Sequence, residues 1–240
     1  MKTFLILLLI GSTHVFSQQL LTPSNTSIDL QLIQDETSEA VWYAENAGQK
    51  IEIGNITTQI KKLNTTDLLI ETTVKMKQMP NTHWVDSTLV KTANLQPIRH
   101  SSFNMNRDMV FTYHKNKVTG YYLDKKTQKK DDIDIAATHY FDSSSYPTLI
   151  RFLPLKEKYT AEISIFDYNP NAVKKGIMKA YIQSVEKGDY QHKKVWIVKT
   201  ADDITEKTTT VTYYIDSDTR KILKQDIESG TRKMSIETIQ

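Results

Sequence analysis

His139 lies three residues ahead of Asp142, and Ser143, Ser144 and Ser145 follow at once. A hydrolase triad needs a serine, a histidine and a carboxylate that meet in space, and such triads are usually assembled from distant segments. The chain has no Gly-x-Ser-x-Gly elbow to expose a nucleophile. The Asp-Ser run therefore reads as the capped start of a helix. Asp216-Ser217-Asp218 opens like a calcium loop, but Arg220, Ile222 and Leu223 break the ligand pattern, so it reads as a hairpin turn. Asp131, Asp132 and Asp134 could hold a divalent cation, yet Lys125, Lys126, Lys129 and Lys130 stand just before them. Mutual neutralisation in a solvated loop is the simpler expectation. His83, His100, His114, His139 and His192 show no paired ligand spacing, and without cysteine a zinc site would need side chains from separate strands. Seven glycines form no nucleotide-binding pattern. The aromatic and basic residues of Phe111 to Tyr122 could stack on bases, but in a β protein they read as cross-strand pairs. The residues thus point to no catalytic group, no metal and no cofactor, and to no nucleic-acid partner.

With no chemistry written in motifs, compartment and shape carry the reading. Met1-Lys2, the apolar run Phe4 to Ile10, and Val15-Phe16-Ser17 follow the order of a secretory signal. The apolar core is far shorter than the roughly 20 residues of a membrane span. Cleavage after Ser17 is expected, leaving Gln18 as the N-terminus of a periplasmic or extracellular protein with no transmembrane segment. Loss of Lys2 leaves 30 basic against 28 acidic residues, a net +2 that favours no polyanionic partner. Export without cysteines leaves stability to the hydrophobic core.

Period-2 alternation dominates from about residue 49 onward, the signature of strands. Residues 18–40 read as an arm or short helix. Strands are expected at 50–63, 67–77, 84–92, 98–105, 109–115 and 118–123. Met79-Pro80-Asn81 reads as a turn and Asp124 to Asp132 as a charged loop. At Thr138 to Pro154 the pattern changes: Pro147 suits a first helical turn, Leu149, Ile150, Phe152 and Leu153 cluster at helical spacing, and Pro154 stops the helix after about two turns. Strands resume at 159–166 and then at 174–186, 192–200, 207–215, 220–228 and 231–238. Their joints are Lys187-Gly188-Asp189, Ala201-Asp202-Asp203, Asp216-Ser217-Asp218 and Ser229-Gly230. Hairpin joints make antiparallel neighbours. The expected fold is mainly β: a curved antiparallel sheet, a half-barrel of about ten or more strands, with one short apolar helix packed in its concave face. The division is 1–17 signal peptide, 18–40 arm, and 41–240 a single half-barrel domain.

Tyr140 to Tyr168 (YFDSSSYPTLIRFLPLKEKYTAEISIFDY) resembles a recurring segment of an uncharacterised family of bacterial envelope domains, in which a Phe-Asp-Ser start leads to a short apolar helix, a Leu-Pro-Leu exit and a strand. Tyr213 to Glu228 (YYIDSDTRKILKQDIE) resembles the strand, acidic turn, strand element of the same family. That family is similar in shape to the lipoprotein carriers of the periplasm, whose half-barrel is covered by helices. The resemblance implies a cavity for an apolar or amphipathic ligand and carries no catalytic residue. This chain has one covering helix where carriers have more.

The expectation is an exported binding protein for a hydrophobic or lipid-like ligand, not an enzyme. Trp84, Phe103, Phe111, Leu149 and Phe152 are the candidate lining residues, with plain core as the competing fate of each. Two alternatives are an envelope scaffold that engages a protein partner through sheet edges, and a hydrolase with a site assembled from distant segments.

Overall fold

The computed structural model describes residues 19–239; the signal segment 1–17 and the side chain of His83 lie outside the described residues. The strands are β1 (Leu20–Leu21), β2 (Glu36–Asn46), β3 (Gln49–Lys62), β4 (Asp67–Met76), β5 (Met79–Lys91), β6 (Pro97–Phe103), β7 (Arg107–Tyr113), β8 (Lys117–Asp124), β9 (Lys130–Ala136), β10 (Phe141–Asp142), β11 (Ala161–Asp167), β12 (Gly176–Tyr190), β13 (Lys193–Asp202), β14 (Thr209–Asp216), β15 (Ile222–Ser229) and β16 (Arg232–Thr238). The one α-helix among the described residues is α1 (Tyr146–Phe152), and Leu30–Leu32 forms a 3-10 turn.

All sixteen strands join one sheet, in the order β1-β11-β12-β13-β14-β15-β16-β2-β3-β4-β5-β6-β7-β8-β9, with β10 also on β11. Every pairing is antiparallel except β1 and β10, which run parallel to β11. The last strand, β16, pairs with β2, so the two meanders meet mid-sheet. Register shifts at Trp42/Tyr43, Val74/Met76, Leu89/Val90, Ile182/Ser184 and Tyr214/Ile215 interrupt the ladders. Such irregularities bend strands and raise twist, which lets so broad a sheet curl.

The curl does not close by hydrogen bonds. Ile163 and Ile165 of β11 face inward, while Phe166 faces the other way and packs under Met109, Phe111, Val118 and Ile133 of β7 to β9. Phe166 meets the rings of Phe111, Tyr113 and Tyr140 at 5.5–5.9 Å. The sheet overlaps itself like a rolled page.

Helix α1 fills one half of the concave face. Leu149, Ile150, Phe152 and Leu153 pack on Ile60, Leu68, Ile70 and Val90 from one meander and on Ile163, Ile182, Val198 and Ile215 from the other. A run of buried side chains at helical spacing makes this short helix stable only in place. Arg151 fastens it. Its guanidinium holds the Glu36 carboxylate through both terminal nitrogens, and its Nε donates to the Arg220 carbonyl at 2.6 Å. The helix is thereby tied to β2 and to the β14–β15 turn together.

Four local readings need correction. Residues 124–132 are not one loop: Lys130–Ala136 is a strand in which Asp131, Ile133 and Ile135 alternate with Asp132 and Asp134. Pro80 lies inside β5, where the ladder skips from Val74↔Trp84 to Met76↔Met79 and asks no N–H of it; the turn is Lys77-Gln78. Gly188 lies inside β12, and the hairpin is made instead by Gln191 and His192, both at positive φ. Asp202 likewise belongs to β13, not to the turn after it.

Candidate functional site

The register sorts the concave face of β2 to β7 into rows. Ile60, Ile70, Thr88, His100 and Phe111 form one buried row. The next row is polar: Ser38, Thr58, Thr72, Asp86 and Ser102. Beyond it runs an apolar row, Ala40, Ile56, Val74 and Trp84. On the far side of the β2–β16 junction the same face carries Ile236, Met234 and Ile227. Most of these side chains are only half-buried, with Ala40, Val74 and Ser102 the sealed members. The rows past the helix form an open trough with a greasy floor and a polar stripe.

The trough also holds polar atoms without partners. Among the described residues, buried side-chain atoms with no hydrogen-bond partner are found on Trp42, Asp86, Thr92, Arg107 and Arg220. Trp42, Asp86 and Arg107 point to the concave face by their register. Buried donors and acceptors are normally paired, so three on one face call for an explanation. Asp86 accepts the Trp84 indole N–H on Oδ2 at 3.0 Å, and its Oδ1 is the orphan. Arg107 donates to Ser102 through Nη2 at 3.0 Å, and its Nε is the orphan.

A second polar group lies deeper and is fully satisfied. His100 and Asp142 are each 1% exposed and Thr88 is 2%. Thr88 Oγ1 lies 2.9 Å from His100 Nδ1 and donates to Asp142 Oδ1 at 3.2 Å. Tyr113 donates its hydroxyl to Asp142 Oδ2, and the Ser144 N–H donates to Oδ1 at 2.9 Å. Burial, then the adjacent Asp142 charge, holds the Tyr113 phenol well above its ordinary value. Ser143 donates to Asp167 at 2.7 Å, and Ser145 to the Asp142 carbonyl at 3.1 Å. Burial pushes the Asp167 carboxyl up, with Asp142 adding to it and Ser143 and Arg107 opposing. This network pins β10 and the start of α1 to β5, β6 and β7. The partner of Asp142 is His100, not His139, which sits exposed at positive φ. The three serines are spent on the helix entry, although Ser145 makes no side-chain cap of its own.

Of the five candidate lining residues, Trp84 alone lies half-buried in the trough. Leu149 and Phe152, each 1% exposed, are core residues of α1 itself. Phe111, 2% exposed, belongs to the separate cluster under the sheet overlap. Phe103 pairs with Val85 on the opposite, convex face and is 40% exposed. Trp42, Asp86, Ser102 and Arg107 were missed. Alternation alone places them inward, but only the position of α1 tells which inward rows stay open.

The other motifs resolve as turns and ion pairs. Asp131, Asp132 and Asp134 face opposite sides of β9 and pair with Lys129, Lys130 and Lys117 at 3.1, 2.7 and 2.9 Å. Asp216 Oδ1 accepts the N–H groups of Asp218 and Thr219. A mixed polar groove of about 370 Å³ lies between Pro23, Asn94, Tyr113, Lys115 and His139. No helix of the described residues is long and apolar enough to cross a membrane.

A family model described as a protein of unknown function, DUF3108, matches residues 39–237. The chain belongs to the DUF3108 family. Among solved structures, the DUF3108 chain is similar to the β-barrel-like protein of the domain of unknown function DUF1849 from Brucella abortus. The TM-score is 0.56 at 9% identity, over 93% of this chain and 98% of that one. A DUF1329 family protein from Desulfovibrio piger aligns with TM-score 0.27 at 9% identity, over 88% and 85% of the two chains. No curated protein matches. At such identity the Brucella likeness speaks to fold alone: a curved, barrel-like sheet that the DUF3108 chain leaves unclosed.

Proposed function

We propose that this DUF3108 chain is an exported binding protein, periplasmic or secreted, for a hydrophobic or lipid-like ligand held in the half of the concave face that α1 leaves open. The observation that carries the reading is the trough itself: half-buried Trp42, Ile56, Trp84 and Ile236 beside buried polar atoms that nothing among the described residues satisfies. A core would have sealed the first and paired the second. Concave, mostly apolar surfaces with a few convergent polar groups are where small molecules bind. The signal-like segment at 1–17 supports export. A non-catalytic role is supported by the sealed state of the His100–Asp142 pair, which a substrate cannot reach.

The scaffold reading has less behind it. The edge strand β9 presents Lys130, Asp132 and Asp134 on its convex side, and charge on an edge discourages strand addition.

Native mass spectrometry of the protein purified from its own envelope tests the proposal. A retained mass that denaturation releases as a lipid or other apolar molecule is the expected result. Protein that is recovered empty, and that takes up no added acyl compound, would overturn it.

A further inference from the structure

A second cavity lies at the other rim of the sheet from the trough. The trough runs toward the β4–β5 turn, whereas the groove of about 370 Å³ is formed at the β5–β6 and β7–β8 turns. Asn94 secures one wall by donating its Nδ2 to the Pro23 carbonyl at 2.9 Å. The Ala137 N–H donates to the Asn116 carbonyl at 3.0 Å, which brings the segment before β10 against the β7–β8 turn. His114, Lys115 and His139 thereby line one groove. The rings of Tyr113 and Tyr140, 5.7 Å apart, line it beside them. A space of that size suits a small molecule.

Its polar lining is one-sided. No carboxylate lines the groove among the described residues. Lys115 and His139 make no side-chain hydrogen bond or ion pair with any described residue, whereas Lys117, two positions on, is held by Asp134 at 2.9 Å. His114 engages only its Nε2, 2.9 Å from Thr119 Oγ1. Tyr140 is 5% exposed, yet its hydroxyl has no partner among the described residues and is not one of the sealed orphan atoms, so it opens onto the groove. Burial pushes that phenol up to about 12, which keeps it a donor at ordinary pH. His139 is held at φ 59°, a left-handed conformation that residues other than glycine seldom adopt and that recurs where ligands are gripped. The Asp142 carboxylate behind Tyr113 is sealed and already served by Tyr113, Thr88 and the Ser144 N–H.

We infer that this groove is a second ligand site and that it takes a small organic oxyanion, a carboxylate or phosphate on a compact flat body. The oxyanion accepts from Lys115, His139 and the Tyr140 hydroxyl, and the body lies against the rings of Tyr113 and Tyr140. Hydrogen bonds to an ionised acceptor are the short, strong ones that such a donor set rewards. An ammonium would meet Lys115 with no carboxylate in the lining to offset it. A neutral amide would leave the Lys115 charge unanswered. The inference concerns a separate cavity and does not rest on the trough.

The test titrates the full mature chain with phenyl phosphate, benzoate and neutral benzamide, following the imidazole signals of His114 and His139 by NMR. At least one of the two anions is expected to shift both signals saturably and to bind at least about tenfold more tightly than benzamide; whichever binds more tightly tells phosphate from carboxylate. Inorganic phosphate is expected to bind more weakly than phenyl phosphate, and equal affinity would overturn the flat body. Lys115→Met and His139→Asn are each expected to weaken the anion by about tenfold and to leave benzamide unchanged. Both residues are exposed and asparagine tolerates the left-handed backbone, so both variants are expected to fold. Benzamide bound as tightly as the anions, or anion affinity untouched by both substitutions, would overturn the charge assignment. No saturable shift of either imidazole with a Kd below about 1 mM would overturn the site itself, with the trough proposal still standing.

Discussion

Cutting the tie between α1 and the sheet has a calculable consequence. Arg151 and Glu36 have side chains only 6% and 15% exposed, and the guanidinium grips both carboxylate oxygens while also serving the Arg220 carbonyl. Removing one partner of such a pair leaves an uncompensated buried charge, at a cost of about 3–5 kcal/mol. Arg151→Met is expected to cost that much, since it strands Glu36 and orphans a carbonyl. For a chain of 240 residues, each kcal/mol moves the melting temperature by about 2–4 °C. The midpoint is thus expected to fall by about 6–20 °C in a thermal scan followed by circular dichroism. The double variant Glu36→Leu with Arg151→Met removes both charges and is expected to recover much of the loss, because a buried pair replaced by apolar groups is often neutral or better. A single variant that shifts stability by less than about 0.5 kcal/mol would refute the reasoning, since that is the range of an ordinary surface change. So would a double variant whose loss equals the sum of the two single ones.

Other expectations follow from particular contacts. A Cβ at Gly120 would fall 1.9 Å from the Val110 carbonyl oxygen, whereas one at Gly48 would meet nothing within 4 Å. Gly120→Ala is therefore expected to prevent stable folding, while Gly48→Ala, strained only by its positive φ, costs about 1–2 kcal/mol in urea unfolding. Tyr113→Phe leaves Asp142 Oδ2 without its buried donor and is expected to cost about 1–3 kcal/mol by the same assay. Asp167 supplies a pH dependence. Burial raises its carboxyl above 3.8 in the folded state, so the folded protein holds a proton that the unfolded chain releases. That contribution is complete below 3.8 and is lost as pH rises through the folded value. Asp167→Asn keeps an acceptor for Ser143 and is expected to gain stability relative to wild type as pH climbs through that window. A constant difference between the two proteins across the pH range would contradict this.

Much of the fold is legible in the chain because hairpins write it twice, once in alternation and once in turn residues. Val211, Tyr213 and Ile215 face one way and Thr210, Thr212 and Tyr214 the other, as the residue pattern requires. Pro147 and Pro154 bracket α1 for reasons of backbone chemistry alone. Strand β9 is hidden because its alternation, Asp-Ile-Asp-Ile, is short and lies in a lysine-rich stretch. Gly188 looks like a turn residue, but it sits in β12 where Ile197 crosses it: a Cβ there would lie 2.5 Å from Ile197 Cδ1. The candidate site is less legible. Aromatic side chains are attractive guesses for a greasy lining, yet Phe111, Leu149 and Phe152 are what the protein seals first. The residues left only half-buried, Trp42 and Trp84 among them, are recognisable only through the register of the strands and the reach of one short helix.

The most direct measurement uses the protein's own tryptophans. Trp42 and Trp84 lie in the open trough, and Trp196 lies against the core at the α1 end, under the guanidinium of Arg220. A brominated fatty acid bound in the trough is expected to quench the fluorescence of a Trp196→Phe variant, which keeps Trp42 and Trp84. It is expected to leave unquenched a variant that keeps Trp196 alone. Quenching of Trp196 only, or of none of the three, would contradict an open concave site.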